Sequence, residues 1–541
     1  MADADREKTV LDAHLETMVT SASTDEKHAD ILNQNAQEAT LIEHDLTLRE
    51  AFRRYPKAIF WSVMVSTSII MEGYDIVLVT SLFAQPAFAK RYGHLVAHGS
   101  YQVPGPWQSA LSCAATVGAI FGAFGNGYFQ HHYGYRKILL ISLVAIAGFI
   151  FLLFFATSLG MLEAGLILCG IPWGVFATLA PAYASEVCPL ALRGYLTVYV
   201  NLCWAFGQLI AAGVLRGFVN GTDQWAYRIP FAIQWVWPIP LFVILWFAPE
   251  SPWWLIRRDR TDDAIRSIRR LSQATQESAL RTVALIVHTN KIEDEAETGT
   301  SYWDCFRGVD LRRTEIVCMT FAAQIWCGSS LGGTPAYFFV QAGLDPSVSF
   351  DFSVGGLGLA SIGTIISWFL LGHIGRRALY VWGLAILAIL LLLVGIIASA
   401  SSSSASSFGQ AGLVLAWLWT YYLTVGPVCY AIISEIPSSS LRNKSICLSR
   451  VAYYLSQVVG NVIYPYMVNP TEGNWKGKAG YFWAGTCFVF FVWAYFRLPE
   501  TRNRTFEEID ILFLEGVKAR EFSKYHVDAY ASGNDSRLKT R

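Results

Sequence analysis

Long apolar runs, separated by short charged or turn-forming clusters, dominate this chain from residue 58 to residue 498. Crossing the hydrocarbon core of a bilayer takes about 20 apolar residues in a helix. Twelve runs meet that length: 58–84, 107–129, 137–157, 160–182, 194–218, 229–248, 314–341, 351–372, 377–400, 409–434, 443–468 and 479–498. They lack the period-two alternation of a membrane barrel strand, so helices are predicted throughout. Prolines inside the runs (Pro172, Pro181, Pro427, Pro465) fit this reading, because neighbouring helices or water take up the backbone groups a proline frees. A charged stretch with helix-like pieces such as DDAIRSIRRLSQ parts the sixth run from the seventh. The predicted organisation is a tail (1–57), a six-helix bundle (58–248), a linker with short helices (249–313), a second bundle (314–498) and a second tail (499–541).

Composition agrees with an all-α membrane protein: 53% of the 541 residues are apolar and 14% aromatic, against 15% charged. With 41 basic and 41 acidic residues, no net field draws nucleic acid or an acidic partner. The ten cysteines show neither CxxC spacing nor neighbouring histidines, so they read as small buried hydrophobes, with no metal or other cofactor implied. The first 57 residues lack the charged-apolar-small order of a cleaved signal, and the first span is expected to act as its own insertion signal. Charge placement gives the orientation. Arg53, Arg54 and Lys57, Arg136 and Lys137, Arg193, Arg376 and Arg377, and Arg442 and Lys444 fall on one set of alternate loops, so both termini are expected in the cytoplasm. Lys90, Arg91, Lys476 and Lys478 on the opposite loops blunt the contrast. The Asn220-Gly-Thr sequon and the Ser-rich stretch 399–407 are expected in outer loops.

The two halves repeat. SEVCPLALRG at 185–194 matches SEIPSSSLRN at 434–443, PESPWWL at 249 matches PETRNRTF at 499, and GYRK at 134 matches GRR at 375. These collinear matches, about 240 to 250 residues apart, signal a duplicated six-helix unit. Each motif sits at a cytoplasmic helix end and puts a carboxylate near an arginine: Glu186 with Arg136 or Arg193, Glu435 with Arg377 or Arg442, and Glu250 and Glu500 close by. Such pairs can close an inner gate and break when it opens; the plain alternative is a set of positive-inside charges reaching for the interface.

The set GYD, GYRK, SEVCPLALRG, PESPWWL, SEIPSSSLRN and PETRNRTFEE resembles the sugar porter branch of the major facilitator superfamily over roughly residues 55 to 515. MEGYDIVLVTSLFAQPAF, LCGIPWGVFATLAPAYASEVCPLALRGYLTVYVNLCWAFGQL and GYFWAGT resemble, more narrowly, fungal α-glucoside (maltose-type) proton symporters. The resemblance implies two six-helix bundles. It also shows departures: His131 and Gly372 stand where the family places acidic gate residues, and Leu166 stands where monosaccharide porters carry a fourth-span arginine.

Within SIIMEGYDIVLVTS, Glu72 and Asp75 interrupt an apolar run. A charge at mid-bilayer costs on the order of 3 kcal/mol, so both must look into a polar cavity. At helical spacing i and i+3 they share a face, where two close carboxylates resist joint ionisation. That describes a proton carrier. The resemblance points to Asp75 of GYD as the coupling residue, with Glu72 an addition of the α-glucoside type; the alternative is a structural buried carboxylate. Arg450 lies roughly 12 Å deeper than Arg442 along the eleventh span and heads a polar stripe with Tyr454, Gln457 and Asn461 that is expected to line the cavity and bind substrate. We expect it to answer the charge of Glu72 and Asp75; the alternative is an arginine bonded to backbone carbonyls.

Sugar recognition needs amides, hydroxyls and aromatic faces. Asn201, Trp204 and Gln208 on the fifth span, Gln324 and Ser330 on the seventh and Tyr430 on the tenth supply them. By resemblance, Asn201 and Gln324 stand where sugar porters use glutamines, Ser330 replaces an asparagine and Tyr430 a tryptophan, which implies a pocket of different shape. The expectation is a monomeric plasma-membrane permease that takes up an α-glucoside with a proton. A hexose uniporter and a non-transporting sugar sensor are the rivals. No nucleophile–base set or phosphate loop suggests an enzyme.

Overall fold

The computed structural model describes residues 35–42, 45–82, 86–95, 101–218, 221, 223–273, 275–295, 301–332, 338–339, 346–400, 404–468, 473, 475–527 and 538–540. Among these, 11 helices are long and apolar enough to cross a membrane. In the first half they are α1 (Pro56–Leu82), α2 (Pro106–Tyr133), α3 (Tyr135–Phe154), α4 (Leu159–Val187), α5 (Leu190–Phe218) and α6 (Trp225–Leu245). Between the halves come α7 (Pro252–Ile256), α8 (Thr261–Leu271) and α9 (Gln276–Glu295). The second half begins with α10 (Gly308–Gln324). It continues with α11 (Asp351–His373), α12 (Arg376–Ala400), α13 (Ala405–Glu435), α14 (Arg442–Val468) and α15 (Lys476–Arg497). A final helix, α16 (Phe506–Leu514), follows the last span.

The seventh apolar run departs from expectation. Instead of one unbroken helix, α10 ends at Gln324 and passes into a wide π-type turn, Ile325–Ser329, in which Gly328 takes the left-handed φ of 99° that favours glycine. The carbonyls this frees are taken up by neighbours: Thr486 Oγ1 donates to Trp326 O at 2.7 Å and Trp417 Nε1 to Cys327 O at 3.1 Å. Residues 333–337 and 340–341 of that run lie outside the described residues, as do Asn220 of the sequon and residues 401–403 of the Ser-rich stretch. The rest of that stretch lies at helix ends: α12 reaches Ala400 and α13 starts at Ala405.

Large exposed apolar side chains, such as Ile141, Phe151, Phe369, Trp382 and Val489, cover the outer faces of the spans, as a bilayer requires. α4 is instead buried without a break from Pro172 to Val187 and forms the middle of the first bundle. The halves meet where α2 runs along α14 and α5 along α11. The linker is amphipathic: α8 buries Ala264, Ile265, Ile268 and Leu271 beneath a charged outer face. The last helix is closed by a reciprocal cap, with Thr505 N–H donating to Glu508 Oε2 at 3.0 Å and Glu508 N–H to Thr505 Oγ1 at 3.3 Å. Its residues from Phe506 to Phe513 are all buried, so the polar-looking second tail packs against the linker face.

Candidate functional site

α1 delivers two carboxylates to two different neighbours. Gly73 lets it come close to α5, since a Cβ there would lie 2.2 Å from the Trp204 carbonyl oxygen. Glu72, 3% exposed, turns toward the second half. Its Oε1 accepts from Arg450 Nη2 at 2.7 Å and from Tyr454 Oη at 2.9 Å. The Arg450 guanidinium lies 5.3, 4.4 and 4.8 Å from the ring centres of Phe321, Tyr453 and Tyr454, and its Nη1 donates to Tyr430 Oη at 3.4 Å. Asp75 turns the other way, into its own half, where Oδ1 accepts from Gln234 Nε2 at 2.8 Å. Its Oδ2 has no hydrogen-bond partner among the described residues.

The two carboxylates expected to act as a pair on one face take partners on different helices. A separation of three residues turns the side chain by about 60°, enough to send the two carboxyls to different helices. Arg450 pairs with Glu72 and makes no ion pair with Asp75. Gln234 was missed; it was detectable as an amide inside the apolar run FAIQWVWPIP, where a polar side chain needs a partner.

The amides and hydroxyls chosen for sugar recognition mostly join helices. Asn201 Nδ2 donates to Thr364 Oγ1 of α11 at 3.5 Å, and Gln208 Oε1 accepts from Tyr422 Oη of α13 at 3.0 Å, so both reach across the two halves. Asn461 Nδ2 donates to Ser112 O of α2 at 3.4 Å, again between halves. Gln324 stays within its own half, donating to Gly426 O at 3.0 Å. Ser330 lies against α14, 2.6 Å from where a Cβ on Gly460 would stand. Trp204 and Gln457 are half-buried, and the Trp204 indole N–H has no acceptor among the described residues. Thr364 and Tyr422 were not foreseen, because hydroxyls in apolar helices commonly bond their own backbone; Thr364 Oγ1 also donates to Ala360 O at 3.1 Å.

At the linker face the duplicated motifs form duplicated geometry with different partners from those expected. Glu250 accepts from the N–H groups of Tyr135 and Arg136 at 2.9 and 3.2 Å, and Glu500 from those of Arg376 and Arg377 at 2.9 and 3.1 Å. Each carboxylate thus caps a helix whose preceding residue, Gly134 or Gly375, has a φ of 88° or 97°. Glu186 pairs with Arg257 at 3.0 Å and Arg442 at 3.8 Å rather than with Arg136 or Arg193, and it accepts from the Ser251 hydroxyl. Glu435 pairs with Arg376 at 3.0 Å rather than with Arg377 or Arg442, and it accepts from Thr501 Oγ1 at 2.6 Å. Arg136 lies 5.8 Å from the Trp246 ring, and Arg377 caps carbonyls of Leu498 and Tyr495 at 2.9 and 2.8 Å.

Arg193 of the first half and Arg442 of the second each stand 3.6 Å from the ring centre of Phe506. Tyr135 Oη donates to Asn443 Oδ1 at 2.7 Å, and Arg257 Nη1 to Ser439 O at 2.7 Å, closing the same face. Each cation–aromatic contact contributes about 0.5–2 kcal/mol. Phe506→Ala is accordingly expected to loosen this face: a single cysteine placed at Asn443 should react with a polar maleimide at least about 5-fold faster than in the parent. Unchanged reactivity would show that the ring is only a spacer.

Residues 61–513 match the family described as "Sugar (and other) transporter". A general alpha-glucoside permease of Saccharomyces cerevisiae is 39% identical over 96% of this chain and 87% of its own length. A maltose permease of that species is 42% identical over 92% of this chain and 82% of its own. Among solved structures, a proton:xylose symporter bound to 6-bromo-6-deoxy-D-glucose superimposes with a TM-score of 0.73 at 20% identity, covering 85% of this chain and all of that one. The inward-open xylose transporter of E. coli gives 0.61 at 19% identity, covering 84% and 99%. With a family match over most of its length and relatives near two-fifths identical over more than nine-tenths of it, this chain belongs to the sugar transporter family and has the major facilitator fold.

Proposed function

We propose that the protein carries an α-glucoside such as maltose into the cell together with a proton, by alternating access between its two bundles. The linker face is then cytoplasmic, as its excess of arginine and lysine supports, and the membrane is the plasma membrane. The observation that carries the coupling is the division of labour on α1: a carboxylate with one oxygen unpartnered (Asp75) beside a carboxylate bonded to the opposite half (Glu72).

Asn201–Thr364, Gln208–Tyr422 and Asn461–Ser112 hold the halves together through hydrogen bonds whose donors and acceptors are those a sugar hydroxyl can replace. Sugar entering between them exchanges direct bonds between halves for bonds through the substrate. Trp204, with a free indole N–H at the same level of α5, offers an aromatic face. Opening toward the cytoplasm separates Glu186 from Arg442 and Phe506 from Arg193, and carries Glu72 relative to Arg450. The proton is held at Asp75, next to this moving pair.

The test is uptake in a host lacking its own disaccharide permeases. Adding maltose to an unbuffered suspension should raise the external pH in step with labelled sugar entry. Sugar entry with no alkalinisation would reduce the protein to a uniporter, and no entry with any disaccharide of a panel would leave a sensor.

A further inference from the structure

Where α15 ends and the second tail begins, a cleft of about 710 Å³ is lined by Arg312, Arg497, Lys518, Arg520 and Lys524, with Glu521 as its one carboxylate. Its volume lies within the range of small-ligand pockets, about 300–1,000 Å³. Arg497 is held by Glu315, Nε donating to Oε1 at 3.0 Å, and Arg312 Nη1 donates to Val517 O at 2.8 Å, so both are fixed in place. Burial, and then the neighbouring Arg497 cation, hold Arg312 below its ordinary guanidinium value. Lys518, Arg520 and Lys524 form no ion pair with any carboxylate among the described residues and are exposed.

The cleft also lies at the end of the last span, α15, against Phe496 and Arg497. The Arg520 guanidinium lies 5.4 Å from the ring of Tyr495 and 5.8 Å from that of Phe496. Phe496 is 55% exposed and lies on the outward side of α15, in line with Phe488 and Val489, which are 57% and 64% exposed. Acyl chains covering those residues would bring headgroups to the mouth of the cleft. Three cations without a carboxylate partner ask for more than the single charge of a phosphodiester, and each phosphomonoester adds about −1.5 to −2. We propose that this cleft binds the headgroup of an inositol lipid bearing phosphomonoesters, with Lys518, Arg520 and Lys524 on the phosphates and the lipid chains along Phe496 and Val489.

The full-length protein, purified in detergent at physiological ionic strength, is titrated with dioctanoyl phosphatidylinositol bisphosphate and binding is read by native mass spectrometry or thermophoresis. Saturable binding is expected, weakened roughly 100-fold in K518A/R520A/K524A, whose sugar uptake and monodisperse elution report that it folds. Glu521→Gln, which removes the opposing charge, should tighten binding about 5-fold and keeps the proposal open to test should the triple variant misfold. Equal binding by the triple variant would overturn the site. Equal affinity for dioctanoyl phosphatidylserine would overturn the phosphomonoester requirement, and equal affinity for soluble inositol trisphosphate would overturn a lipid as the occupant.

Discussion

Arg450→Ala should abolish uptake and lower the resistance of the purified protein to unfolding by about 3–5 kcal/mol, the range found when one member of a buried ion pair is removed. Arg450 is 1% exposed and its partner Glu72 3% exposed, so truncation leaves a carboxylate sealed between the halves with only Tyr454 to donate to it. The rings of Phe321, Tyr453 and Tyr454 would also lose the cation they surround. A neutral pair separates the two consequences. Glu72→Gln with Arg450→Met removes both charges and keeps the volume, so most of the lost stability should return while uptake stays absent. Thermal unfolding of the three variants in detergent, with uptake measured in parallel, makes the comparison. If Arg450→Ala unfolded like the parent, the pair would be in contact with water rather than sealed at the interface.

How far the sequence reached depended on what kind of signal each feature leaves. α3 and α12 are apolar almost end to end, and their bounds, 135–154 and 376–400, lie within three residues of the expected 137–157 and 377–400. Burial in lipid needs only apolar length, and apolar length is visible in a single chain. The seventh run has the same length, yet Gly328 breaks it, and the break is stable because Thr486 and Trp417, more than 80 residues away, supply its missing hydrogen bonds. Nothing local announces a partner so distant.

The same division runs through the site. Glu72, Asp75 and Arg450 were visible because a charge in an apolar run is conspicuous, and a buried charge demands compensation. Which of them would meet was not visible, since that depends on how α1 is rotated between α5, α6 and α14. At the linker face the repeat made Glu186 and Glu435 conspicuous, but their partners, Arg257 and Arg376, were chosen by the fold of the linker and by the cap at Gly375. Phe506 stands inside the repeated PETRNRTF motif, but its role gave no signal: an aromatic among the tail's charges becomes meaningful only when Arg193 and Arg442 arrive on either side of it.

Asp75→Asn should remove uphill accumulation while leaving downhill exchange of sugar in place. The amide keeps the size of the side chain and an oxygen able to accept from Gln234 Nε2, the contact now at 2.8 Å, so the packing of α1 against α6 should survive. What the amide cannot do is bind and release a proton. Coupling one proton to one sugar lets a gradient of about one pH unit sustain about a tenfold concentration ratio, since 1.4 kcal/mol corresponds to a factor of ten. With Asn at this position the ratio should fall to about one, and sugar addition should no longer alkalinise the medium. Because Asp75 touches neither Arg450 nor the other half through any ion pair, its loss should spare stability where loss of Arg450 does not. A variant that still concentrated sugar tenfold would move the proton to another group, with Glu72 the next to be replaced. A variant unable even to exchange sugar would make Asp75 part of the binding surface rather than the seat of the proton.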